Sequence, residues 1–232
     1  MSGRVPDVDP RELGRLLALR DGAGSLEGRL ERISAALVGR PYVEAPLVGS
    51  PSTAERLVGR LDGFDCVTFV ETVWALATCA GADDYLEALA ALRYEGGEIA
   101  WMARNHYMTD WLARNERRGA VRRVGAEHWH AEPAPRTLSC LEGYPPRGRR
   151  MRYLPLDHLD AVRSEVRSGD VVCFVSVRPD LDTYHVGLLI RGEPLRVRHA
   201  ARSAARVTDE TLEAFLGRNE TPGLIIARLR AP

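Results

Sequence analysis

Apolar residues run along the chain with two different periods. In the first half they recur at helical spacing. Asp9-Pro10-Arg11-Glu12 places an N-cap residue before a proline at the first helical position and a glutamate at N3, and Leu13, Leu16 and Leu17 follow. Leu26, Leu30, Ile33 and Leu37 predict a second helix, with Gly39 as its stop. Residues 66–80 (CVTFVETVWALATCA) are apolar nearly all round, which predicts a buried central helix. Residues 83–94 predict a further amphipathic helix ended by Gly96-Gly97. Residues 116–156 are rich in Arg, Pro and Gly and read as loops and short irregular strands. The period then changes. Val171–Val175 is a short apolar run behind the turn signal Ser168-Gly169-Asp170. Tyr184–Ile190 and Leu195–Ala201 read as two more strands joined by a link of hairpin length, Thr208–Leu216 as a capped helix, and Leu224–Leu229 as a last strand. Helices first and an antiparallel meander afterwards is the α+β pattern.

Composition narrows the class. The 232 residues suit one domain or two small ones, and a single domain over 1–232 is expected, with residues 1–30 as a helical N-terminal extension. Hydrophobic residues make up 45% and charged residues 28%, which fits a globular chain and excludes a disordered one. The 32 basic and 32 acidic residues cancel, so neither nucleic acid nor an anionic membrane surface is an expected partner. A monomer is expected, though nothing in the charge balance sets the oligomeric state. Every basic residue is arginine, whose planar fork suits carboxylates. No run approaches the roughly 18 apolar residues of a membrane span. The opening residues carry no apolar core of a signal peptide, so a cytoplasmic location is expected; a start placed further upstream would allow the periplasm instead. Cys66, Cys79, Cys140 and Cys173 form no C-x-x-C pair, which argues against a zinc ribbon or a disulfide framework.

Candidate chemistry gathers around Gly63-Phe64-Asp65-Cys66-Val67-Thr68. Cys66 lies where a loop becomes the buried helix. Free backbone N–H groups and the macrodipole favour a thiolate there and can hold an oxyanion beside the sulfur. In Thr183-Tyr184-His185-Val186-Gly187, strand alternation puts His185 on the face of Gly187 and Leu189, with open space over the glycine. In Leu195-Arg196-Val197-Arg198-His199-Ala200, His199 shares the apolar face of Leu195 and Val197. On neighbouring strands one imidazole can take the thiol proton while the other orients it.

Asp65-Cys66, His185-Val186-Gly187 and His199-Ala200 together resemble the NlpC-type cysteine peptidases of bacterial cell walls, a papain-like superfamily. The segments GRPYVEAPL (39–47), GFDCVTFVETVWALA (63–77), RNHYMTDWL (104–112) and HVGLLI (185–190) are similar to an amidase branch of it, long catalogued as a domain of unknown function. The resemblance covers roughly residues 30–230. It implies a papain-like fold with N-terminal helices packed on an antiparallel sheet, a Cys66–His185–His199 triad, and no cofactor. It also implies hydrolysis of an amide bond in a muropeptide, most naturally between N-acetylmuramic acid, or its 1,6-anhydro form, and L-alanine. Cleavage between D-glutamate and diaminopimelate, and a non-catalytic peptidoglycan-binding module, are the alternatives. Ala201 departs from the serine common after the "H-A".

Further residues carry two readings each. Tyr42, upstream of the cysteine, is either a donor to an oxyanion or substrate carbonyl, or part of a Pro-Tyr turn packed on the core. Asp65 is a substrate-side candidate through the shared motif. Arg104, Asn105, His106, Tyr107 and Trp111 bring donors and rings suited to a muropeptide, whereas Tyr107 and Trp111 at i, i+4 equally suit a helix core face. Glu71 reads as the structural partner of an arginine. His128-Trp129-His130 reads as an exposed loop rather than a metal site, and Cys79, Cys140 and Cys173 as structural thiols.

Overall fold

The computed structural model describes residues 8–230. They form two compact units. The first holds residues up to Arg104 together with Arg198–Asp209; the second holds Asn105–Val197 and Glu210–Arg230.

The first unit opens with α1 (Pro10–Asp21) and α2 (Leu26–Ala36). Each starts where its own sequence caps it. The Asp9 side chain accepts from Arg11 N at 2.9 Å, and the Ser25 side chain from Gly28 N at 3.1 Å. Leu13, Leu16, Leu17, Leu30 and Ile33 form the buried face. The hairpin β1 (Val48–Ser50) and β2 (Thr53–Arg56) precedes α3 (Cys66–Thr78) and α4 (Tyr85–Arg93). Every residue of α3 from Thr68 to Ala77 is buried, which explains a helix with no polar face. Burying a side chain such as Phe69 or Leu76 contributes about 1.5–3 kcal/mol. Two cations serve this helix. Arg20 donates to Cys79 O at 2.6 Å and Leu76 O at 3.3 Å, satisfying carbonyls at its C-terminal end. Arg93 of α4 donates to Glu71 Oε2 at 2.7 Å, and both side chains are 2% exposed. The structural reading of Glu71 is thereby met.

The second unit begins with α5 (Met108–Arg117) and the short strands β3 (Val121–Arg123), β4 (His130–Ala131), β5 (Arg136–Leu138), β6 (Arg147–Arg149) and β7 (Arg152–Pro155). After α6 (Leu159–Arg163) come β8 (Val171–Val175) and β9 (Thr183–Ile190). The chain continues through β10 (Arg196–Ala201) and β11 (Arg206–Thr211), whose residues from Arg198 to Asp209 count with the first unit. It ends with α7 (Leu212–Leu216) and β12 (Gly223–Leu229) in the second. The second unit's sheet has the order β9-β8-β12-β7-β4, with β3 also on β12, while β5 and β6 make a separate hairpin.

The mixed helix and antiparallel-sheet class agrees with the α+β expectation. Two local expectations are corrected. Residues 206–211 form an extended strand, and helix occupies only Leu212–Leu216, where Thr211 Oγ1 caps Ala214 N at 3.1 Å. The backbone of this stretch is held from afar, by Val207 N donating to Arg40 O at 2.7 Å and Arg198 pairing with Asp209 at 2.6 Å. The last strand also returns to the middle of its sheet, pairing Leu224 with Phe174 and Ala227 with Val171. A strand buried along most of its length needs neighbours on both edges, which a simple meander does not supply. Among the described residues no helix is long and apolar enough to cross a membrane.

Candidate functional site

Cys66 is the first residue of α3 and is half-buried. The loop before it is held by a reciprocal cap. Asp65 Oδ1 accepts from Thr68 N and from Thr68 Oγ1, both at 2.7 Å, while Asp65 N donates to Thr68 Oγ1 at 3.0 Å. The sequence marked Asp65 for substrate; in the structure its Oδ1 caps the helix terminus. Thr68, three residues on, is the partner that the sequence reading missed, although the D-x-x-T spacing announces it. Thr68→Val removes the acceptor for Asp65 N and is expected to cost about 1 kcal/mol, read as a lower denaturant midpoint at unchanged slope. An unchanged midpoint would show that the cap contributes nothing.

A second segment is drawn against this loop. Residues 40–43 run between residues 205–207 on one side and Phe64 on the other. Tyr42 N donates to Ala205 O at 2.9 Å, Val43 N to Phe64 O at 2.8 Å, and Phe64 N to Pro41 O at 3.0 Å. Gly63 permits the approach: a Cβ there would lie 2.6 Å from Val43 Cγ2 and 3.1 Å from Pro41 O. Tyr42 therefore sits beside the Asp65-Cys66 turn, half-buried. Desolvation first, then negative charge on Cys66 and Asp65, raises its phenol above the ordinary tyrosine value, so it stays a neutral donor.

His199 lies on β10 and is 3% exposed. Its neighbour Arg198 donates to Ser34 Oγ of α2 at 2.8 Å and to Asp209 of β11, which fixes that strand within the first unit. His185 lies on β9 of the second unit, half-buried, opposite Phe174 of β8. Its ring stacks on Phe215 with centroids 5.5 Å apart and planes at 22°.

The 104–111 segment divides. Arg104 donates to Glu55 Oε1 at 3.2 Å and lies 4.4 Å over the Trp101 ring. Glu55, which also accepts from Tyr94 Oη at 2.8 Å, is a partner that nothing near Arg104 in sequence reveals. Asn105 accepts from Arg114 at 2.8 Å and is 8% exposed. Tyr107 and Trp111 are core residues, at 2% and 0% exposure, so the i, i+4 core face prevails over a sugar-stacking role. Burial and the Cys140 thiol push the Tyr107 phenol up to about 12. His106 is half-buried against Tyr144, with ring centroids 4.5 Å apart. Cys79 and Cys173 are buried, as structural thiols should be, whereas Cys140 is exposed. Among the described residues no group of His, Cys, Asp or Glu is placed to hold a metal ion; the exposed-loop reading of His128-Trp129-His130 is corrected, since Trp129 is buried and His130, in β4, pairs with Tyr153.

No curated protein matches the chain. Solved structures do. A Legionella pneumophila protein of the DUF1460 family superposes with a TM-score of 0.81 at 21% identity, covering 96% of this chain and 94% of that one. An N-acetylmuramoyl-L-alanine amidase from Bacteroides uniformis gives 0.74 at 21% identity, covering 89% and 100%. A candidate xylanase from Bacteroides fragilis gives 0.73 at 25% identity, covering 84% and 98%. The first two likenesses speak to the fold. The AmiA-like family model, described as N-acetylmuramoyl-L-alanine amidase-like, matches residues 32–224, a span that holds the capped cysteine, Tyr42 and both histidines. On that match the chain belongs to the AmiA-like, N-acetylmuramoyl-L-alanine amidase-like family.

Proposed function

We propose that this chain is a cysteine amidase of the papain-like NlpC kind. Its substrate is a peptidoglycan fragment, and the bond cleaved joins N-acetylmuramic acid, or its anhydro form, to L-alanine. The observation that carries the reading is the placement of Cys66 at the capped start of a buried helix with the neutral Tyr42 donor beside it. Family membership supports the amide-hydrolysing class.

In this reading His185 takes the Cys66 proton as the sulfur attacks the amide carbonyl carbon. Backbone N–H groups at the start of α3 and the Tyr42 hydroxyl steady the oxyanion. His185 then returns its proton to the leaving amine as the C–N bond breaks, leaving a thioester. Water attacks that thioester, giving up a proton to His185, and the carboxylic product leaves with the thiol restored. His199 orients His185.

Two measurements test this. Mass analysis of products from one defined muropeptide should show the lactyl acid of the sugar and a free L-alanine amine. Fragments cut at D-glutamate would favour the endopeptidase reading, and tight binding without turnover the binding module. Iodoacetamide should modify Cys66 and the exposed Cys140 before the buried Cys79 and Cys173. Of the two accessible thiols, Cys66 alone should hold its rate as pH falls below about 8.5. Parallel pH profiles at Cys66 and Cys140 would rule out an activated thiolate.

A further inference from the structure

The connection from β8 to β9 ends on Asp182, which is 1% exposed. Its Oδ2 accepts from Thr109 N at 2.7 Å and Thr109 Oγ1 at 2.9 Å, and its Oδ1 accepts from Thr183 N at 2.7 Å. Thr109 lies in the first turn of α5, whose own N-cap residue, Tyr107, supplies no capping side chain. Asp182 therefore caps a helix 73 residues away in the chain. The carbonyl of Asp182 accepts from Ser176 N at 2.9 Å and closes the loop. Arg136 grips the same loop through the carbonyls of Ser176 at 2.6 Å and of Arg178 and Leu181, each at 3.1 Å. Desolvation raises the Asp182 carboxyl above the usual carboxylate range against the pull of its donors. A carboxylate buried at that cost is expected to hold something in place.

What it holds is visible in the strand ladder. Phe174 pairs with His185 and Val175 with Thr183, so Tyr184 is an extra residue on β9. In such a bulge two residues oppose one, and the strand is locally re-aimed. Strict alternation would send Tyr184 and His185 to opposite faces. Instead their rings lie 6.2 and 6.0 Å from the same Phe174 ring. The bulge thus falls on the residue next to His185 and brings Tyr184 to the Phe174 ring that His185 faces.

We infer that Asp182 is a positioning residue for the amidase reaction, pinning the Tyr184–His185 bulge to the start of α5 so that His185 is held in one direction. The inference rests on the role proposed above for His185. It also ties β9 to the 105–111 segment, since one carboxylate bonds both.

The test compares Asp182→Asn, Thr109→Val and Thr109→Ser with Asp170→Asn, all in the full chain. Asp170 is equally buried, bonds Arg228 at 2.7 Å and Arg167 N at 2.9 Å, and precedes β8 at the far end of the same ladder. Asp182→Asn presents an amide N–H₂ where a second acceptor is needed. It should lower kcat on the defined muropeptide by about tenfold or more while KM stays within about twofold, as expected for a misdirected base. Thr109→Val should fall between, and Thr109→Ser should recover most of the rate. Amide hydrogen exchange at Tyr184 and His185 should quicken in Asp182→Asn and not in Asp170→Asn. Equal losses of rate in the two aspartate variants, or unchanged exchange at the bulge, would overturn the inference. Should the wild-type chain leave the muropeptide intact, the functional reading fails, and the exchange comparison still decides whether Asp182 holds the bulge.

Discussion

Cys66→Ala is expected to abolish muropeptide hydrolysis, by about 10⁴-fold or more, while the chain keeps its fold. The magnitude follows from covalent catalysis. Without the sulfur no thioester forms, and what remains is whatever rate the binding site and the oxyanion donors confer on attack by water. The fold should survive for a local reason. Cys66 is half-buried at the first position of α3, and the cap that starts this helix runs through Asp65 and Thr68, not through the sulfur. Alanine also favours the helix. Circular dichroism and the denaturant midpoint should match the wild type while product release falls to background. Retained turnover would end the cysteine mechanism outright, whatever the family.

The largest stability effect is expected at Arg93. Arg93→Met leaves the Glu71 carboxylate buried at 2% exposure without its guanidinium, and it strips Val58 O of a 2.6 Å donor. Breaking one side of a buried ion pair costs about 3–5 kcal/mol, because the remaining charge keeps its desolvation penalty. Removing both charges as Glu71→Leu with Arg93→Met should recover much of the loss, since the penalty goes with the pair. Urea denaturation of the wild type, the single variant and the double variant gives these differences directly. A single variant as stable as the wild type would mean that Glu71 finds another partner or takes up a proton.

Arg93 and Asp182 mark the boundary of what local sequence reading can see. That Glu71 needs an arginine is readable, because a carboxylate on an all-apolar helix demands a partner. Which arginine answers depends on how α3 and α4 cross. Asp182 gives no local sign of its task, since the helix it caps lies 73 residues earlier. The 208–211 stretch misleads for a related reason. Thr208 and Thr211 both look like helix caps, and the strand bonds that pull the first of them straight come from residues near 40 and 198. Tyr107 and Trp111 carry the same spacing whether they face a ligand or a core, and only burial decides between the two.

The sequence by itself determined the helical first half, the Asp9 cap of α1, the short strands from Val171 to Ala201, and the cysteine at a helix mouth with two histidines on later strands. These signals are local: periodicity, capping chemistry and turn residues act over a few positions, so neighbouring residues suffice to read them. The tertiary structure alone decided that Tyr42 lies against the Asp65-Cys66 turn, that Arg104 belongs to Glu55, that β12 returns to the centre of its sheet, and that Asp182 bonds both Thr109 and the first residue of β9. Each of these depends on a contact between residues far apart in the chain, where the energy comes from burial and from pairing polar groups that water no longer serves, and no short window of sequence contains both partners.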